Sequence, residues 1–167
     1  MFATIQSFEK NWQISSDATT RLMAALTDSA LGQQVAEGHR TLAQIAWHTI
    51  VSIPEMAERT GLKLAGPKEG GPRPETAKEM AEAYREVAES LLAEVKRNWT
   101  DATLLEEDDM YGERWVRGVT LLVLLVHEVH HRGQMTVLMR QAGLTIPGMV
   151  GPAKEEWEKH GMKAPEE

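Results

Sequence analysis

Apolar positions recur at three- and four-residue steps along most of this chain, the spacing that lines one face of an α-helix. Between Thr4 and about Leu26, the residues Ile5, Phe8, Trp12, Thr19, Leu22, Met23 and Leu26 form one such stripe, with Thr4 and Ser7 available as caps. A polar stretch at 27–40, holding Gly32 and Gly38, interrupts the pattern. A second stripe opens near Thr41 and runs through Leu42, Ile45, Ala46, Thr49, Ile53 and Met56 to Gly61, with Pro54 expected to kink it. The glycine and proline cluster at 61–74 continues neither helix nor strand and predicts a long crossover connection. Thr76 and Glu79 match a capping box, and Met80, Tyr84, Val87, Leu91, Val95 and Trp99 follow it as a third helix.

Residues 101–118 are acidic and then aromatic. Tyr111-Gly112-Glu113 predicts a turn between short extended pieces at Asp109–Tyr111 and Arg114–Val116, in a loop expected to cover a pocket. Val119 opens a continuous fourth run that ends at Gly143, a residue suited to a helix C-terminus, with Pro147 shortly beyond. The tail from Gly148 reads as a short solvated helix whose one docking aromatic is Trp157. Together these elements predict an all-α chain, a single domain over 1–167. Its architecture is a four-helix bundle with a long connection between helices 2 and 3 and a short C-terminal extension. Bundle interiors are a usual place for metal sites built from side chains on facing helices.

Composition narrows the chemistry. The hydrophobic fraction of 42% and charged fraction of 26% are those of a soluble globular chain. A net charge of -7 repels polyphosphate, so nucleic acid is not an expected partner. With Cys at 0 there is no thiolate nucleophile and no sulfur-ligated metal, so any ion must be held by nitrogen and oxygen. Met1 to Lys10 has no basic leader before an apolar run, and Val119–Val126 is too short to span a bilayer; no membrane role and a cytoplasmic location are expected.

His127 and His131 stand four residues apart, one turn apart on one helix face, and continue the apolar stripe of Leu124, Met135 and Leu138. Two imidazoles buried side by side are costly whether neutral with an unmatched nitrogen or charged and mutually repelling. A cation that accepts both lone pairs removes that cost. His48, three residues after Ile45 and three before Val51, is the third expected ligand. His39 falls in a polar turn beside Arg40 and His160 in the charged tail. His130 is turned about 60° from His127 and receives a supporting or surface role.

The string His127-Glu128-Val129-His130-His131-Arg132-Gly133-Gln134, with Ala46-Trp47-His48-Thr49-Ile50 upstream, resembles the signature of the DinB/YfiT-like family. The resemblance covers nearly the whole chain in the order of its parts. It implies a homodimeric bundle holding one divalent transition-metal ion, zinc or nickel first and iron or manganese next, with His48, His127 and His131. It also implies a small-molecule substrate and either hydrolysis or a thiol-dependent transfer, with a low-molecular-weight thiol as a further cofactor. Three neutral nitrogen ligands leave the ion its full charge and positions free for water or substrate, the mark of a catalytic centre.

Two other enzyme readings fit the same string. His-Glu-x-x-His is the zincin protease pattern, with Glu128 as general base and Glu155 or Glu156 as third ligand. Glu128 to His131 also supplies one Glu-x-x-His of a di-iron carboxylate bundle, but the second copy is missing. A non-catalytic metal-dependent binding module is the alternative outside catalysis. Trp47 and Trp115 are candidates to line its pocket, Arg132 and Gln134 to orient the site or join a dimer contact, and Gly133 to permit a close helix approach.

Overall fold

The computed structural model describes residues 1–166, most of them in four α-helices. These are α1 (Ile5–Ala24), α2 (Leu42–Arg59), α3 (Ala77–Asn98) and α4 (Arg117–Gln141). A hairpin of β1 (Glu107–Met110) and β2 (Glu113–Val116) precedes α4. Short 3-10 turns cover Asp28–Ala30, Ala102–Leu105 and Lys154–His160. The chain is therefore mostly helical but not all-α. The hairpin forms because Tyr111 and Gly112 both take positive φ, at 62° and 86°, as a two-residue turn matched to strand twist requires. Asp109 Oδ1 accepts the Gly112 N–H at 3.2 Å, and pairing extends back to Glu107 opposite Val116.

α1, α2 and α3 each start where the sequence offers a cap. Thr4 accepts the Ser7 N–H, and Thr76 with Glu79 forms the expected capping box. Thr41 and Gln44 form a second box at the start of α2, which then runs without a break through a buried Pro54. Gly143, with φ 78°, closes α4 as expected, and the Leu144 N–H returns to the Met139 carbonyl at 2.9 Å. The start of α4 departs from its apolar count: it begins at Arg117, two residues before Val119. Gly118 is buried there beneath the N-terminus. Phe2 N–H donates to its carbonyl at 3.0 Å, and a Cβ at this position would lie 2.3 Å from the Phe2 carbonyl oxygen.

α2 packs against α4 and α3, while α1 packs against α3 and α4. Their facing stripes bury Phe8, Trp12, Leu22, Ile50, Met80 and Leu91, each worth about 1.5–3 kcal/mol when fully removed from water. The long connection after α2 lies on α3. Leu62 and Leu64 are buried, and Ala65 N–H donates to Ser90 Oγ at 2.8 Å.

One polar cluster sits inside this core. Glu128 and Arg132, one turn apart on α4, face Ser15 and Thr19, one turn apart on α1. Both hydroxyls donate to Glu128 Oε1, at 3.0 and 2.7 Å, and accept from Arg132 Nη1 at 3.0 Å. Arg132 also donates to the Ser15 carbonyl at 2.8 Å and lies 3.5 Å from Glu128. Burial pushes the Glu128 carboxyl up from its ordinary value, and the Thr19, Ser15 and Arg132 contacts oppose that shift. Burial, followed by the charge of Glu128, also raises the neighbouring Tyr84 phenol well above its usual range.

The cluster fixes which side of α4 faces α1. Gly133, by contrast, is exposed and has nothing within 4 Å of an added Cβ, so it serves no close approach within the chain. Removing one partner of a buried ion pair leaves the other charge stranded, whereas removing both need not. Arg132→Met is therefore expected to lower unfolding free energy in denaturant titrations by about 3–5 kcal/mol. Combining it with Glu128→Leu should recover most of that loss; equal destabilisation of both variants would contradict the pairing.

Candidate metal centre

The residues next to this ion pair look the other way. His127 and His131 precede Glu128 and Arg132 by one position each, which rotates them by about 100° on the helix, toward α2. There they meet His48. One ring nitrogen from each of the three histidines can be chosen so that all lie within 4.8 Å of one another, a grouping that can hold a metal ion. Ring centroids are 5.0 Å apart for His48 and His127, 4.7 Å for His48 and His131, and 4.4 Å for His127 and His131.

The donor chemistry fits a cation. His131 Nδ1 lies 2.8 Å from Gln134 Oε1, and an amide oxygen only accepts, so Nδ1 carries the proton and Nε2 presents its lone pair. That Nε2 is 3.1 Å from His127 Nε2. Nitrogens held about 2.0–2.1 Å from one tetrahedral ion lie roughly 3.3 Å apart, so the two rings already surround a common point. Gln134 continues outward to His130 Nε2 at 3.1 Å, and His130 itself is exposed. His130 lies outside the three-nitrogen cluster, and Gln134 bonds both it and the His131 ring.

Electrostatics keeps the rings neutral. Burial is the first cause of a lowered pKa for all three, and it brings His127 down to about 4. The neighbouring imidazoles and the Arg40 guanidinium add to the shift, since each disfavours another positive charge. Lone pairs are consequently available at neutral pH. An open cavity of about 510 Å³ adjoins the cluster and is lined by His131 and Gln134 from α4 and by His39 and Arg40 from the loop before α2.

The carboxylates of the protease reading lie elsewhere. Glu128 faces α1 and is held by Ser15, Thr19 and Arg132. Glu155 pairs with Arg140, and Glu156 accepts the Gly148 and Ala153 N–H groups at 3.0 and 2.9 Å. Among the described residues no general base or acidic ligand therefore joins His127 and His131, which counts against the zincin and di-iron readings together.

Trp47 and Trp115 are half-buried against the core, not among the cavity residues. The hairpin likewise packs on α2 through Tyr111, whose hydroxyl donates to Glu55 at 2.6 Å. Arg40 beside the cavity, and the Ser15 and Thr19 hydroxyls that hold Glu128 and Arg132, were given no such roles by periodicity. For Ser15 and Thr19 the signal was a polar pair at helical spacing inside an apolar stripe; for Arg40 it was adjacency to the cap of the helix that carries His48.

Comparison with known proteins bears on the family and the fold. The model of the DinB family matches residues 1–167. The uncharacterized protein YrdA of Bacillus subtilis (strain 168) is 44% identical over 165 residues, 99% of each chain. A crystal structure of a DinB-like protein from Bacillus cereus ATCC 10987 superposes with a TM-score of 0.85 at 41% identity, covering 89% of this chain and 99% of that one. A second DinB-like protein, YjoA of Bacillus subtilis, shares the fold at 18% identity and a TM-score of 0.66, covering 86% of this chain and 97% of that one.

Elemental analysis of gently purified variants checks the ligand set. His48→Ala, His127→Ala and His131→Ala should each lose most bound metal, while His130→Ala keeps it. Gln134→Ala should weaken metal binding by about 10–100-fold, as loss of a ligand-orienting partner does.

Proposed function

The chain belongs to the DinB family, and from that membership we propose that it is a divalent-metal-dependent enzyme acting on a small molecule at an open three-histidine centre. Convergence of three neutral imidazoles on one point carries the reading. In this reading α1 to α4 form a four-helix bundle, with the centre between α2 and α4. Zinc or nickel suits an all-nitrogen donor set, with iron and manganese less favoured. A bound ion would supply Lewis acidity, drawing the pKa of a coordinated water or thiol toward neutrality.

The chain's own groups do the rest. His48, His127 and His131 hold the cation without cancelling its charge, and Gln134 keeps the His131 lone pair aimed inward. The cavity beside His131 admits a substrate of small-molecule size. With no cysteine in the chain, a sulfur nucleophile arrives with a low-molecular-weight thiol. Hydrolysis and thiol S-transfer both fit these parts. A cytoplasmic setting belongs to the proposal; no described helix is long and apolar enough to cross a membrane.

A homodimer belongs to the same proposal. Val126, Val129 and Gly133 share an exposed side of α4, and Val126 and Val129 are 55% and 40% exposed. An apolar stripe of this kind suits a second copy of the same helix.

Metal-loaded protein offered a small thiol with an electrophile, or an activated ester, should turn over one of them, and His127→Ala should abolish that turnover. Tight ligand binding with no metal-dependent reaction of either kind would point to the binding module instead. Light scattering should return twice the chain mass of 18.6 kDa and the single-chain mass for Val126→Glu combined with Val129→Glu; an unchanged mass would remove α4 from the interface.

A further inference from the structure

The cavity beside the cluster is chemically lopsided. Val35, Ile45, Val137 and Leu138 give it an apolar wall, and the Arg40 guanidinium is its one fixed charge. Among the described residues no carboxylate lies within ion-pair distance of Arg40. That is notable in a chain with 25 acidic residues against 18 basic ones, where most arginines have found a carboxylate. The backbone that carries Arg40 past the cavity is set by its neighbour Thr41, which caps α2 through Gln44, and by the hydrogen bonds of Leu42 and Ala43 to the Gln33 and Leu31 carbonyls; the Arg40 side chain itself is exposed.

We propose that this cavity binds a small organic monoanion, with its apolar body against Val35, Ile45, Val137 and Leu138 and its carboxylate on Arg40. This rests on the three-histidine reading only for the direction in which the ligand's reactive end points, toward His131. A planar guanidinium matches a carboxylate with two parallel hydrogen bonds, and a single fixed cation matches one negative charge. A phosphate dianion would call for more positive charge than one arginine brings. A cationic ligand would meet Arg40 as repulsion.

Hexanoate, hexan-1-ol and hexyl phosphate serve as probes, titrated into the full chain while the methyl resonances of Val35 and Val137 are followed by NMR. Hexanoate should bind about tenfold more tightly than hexan-1-ol, and Arg40→Gln should remove that advantage while leaving hexan-1-ol binding unchanged. The same Arg40 dependence is expected after metal is stripped with a chelator, which separates contact with the guanidinium from ligation of an ion. Equal hexanoate affinity in wild type and Arg40→Gln, or tighter binding of hexyl phosphate, would overturn the proposal. Elemental analysis of Arg40→Gln should match wild type. Absence of metal from both proteins, with Arg40-dependent hexanoate binding intact, would sink the three-histidine reading and leave the anion pocket standing.

Discussion

The rotation of α4 about its own axis is the constraint on which the site depends. Two pairs at four-residue spacing, offset by one position, divide the helix between two neighbours: Glu128 and Arg132 are locked to Ser15 and Thr19 on α1, and His127 and His131 meet His48 on α2. An apolar stripe alone tolerates some rolling of a helix in its groove, because hydrophobic contact is not directional. A buried ion pair bridged by two hydroxyls does not, since each lost contact strands a polar group in the core. The core cluster and the histidine cluster are thus two outputs of one helical register.

Burial then sets the protonation of the histidines. Removal from water, with nearby imidazoles and Arg40 adding to it, makes each ring lose its proton at lower pH than imidazole in water. As pH falls from the ordinary histidine value toward about 4, where His127 titrates, a proton begins to compete for the lone pairs that a cation would use. Neutral imidazole ligands would leave a bound ion's charge uncompensated, which suits binding of anionic or polarisable groups beside it. The lone arginine at the neighbouring cavity has the same sign.

Much of this was legible in the residues. Four periodic stripes predicted α1 to α4 to within a few residues, and His127, His131 and His48 are brought together because i, i+4 spacing and inward position are both periodic signals. The parts that escaped are those periodicity does not encode. The turn at Tyr111-Gly112 was expected, but not the reach of β1 back to Glu107, opposite Val116. The early start of α4 depends on the close approach of Phe2 to Gly118, a contact 116 residues away in sequence by the difference of the two positions. Arg40 sits in a loop whose path is set by a 3-10 turn at Asp28–Ala30 and a single bridge between Gln34 and Thr41. The His-Glu-x-x-His pattern misled for a related reason. The spacing is right for a protease, but the glutamate between the histidines points to a different neighbour.

X-ray absorption at the metal edge, on full-length protein carrying one ion per chain, tests the central claim most directly. Three imidazole nitrogens at about 2.0–2.1 Å, with no sulfur in the first sphere, is the predicted result for zinc. A sphere dominated by carboxylate oxygens, or one with a single imidazole, would mean that the rings on α2 and α4 do not share an ion.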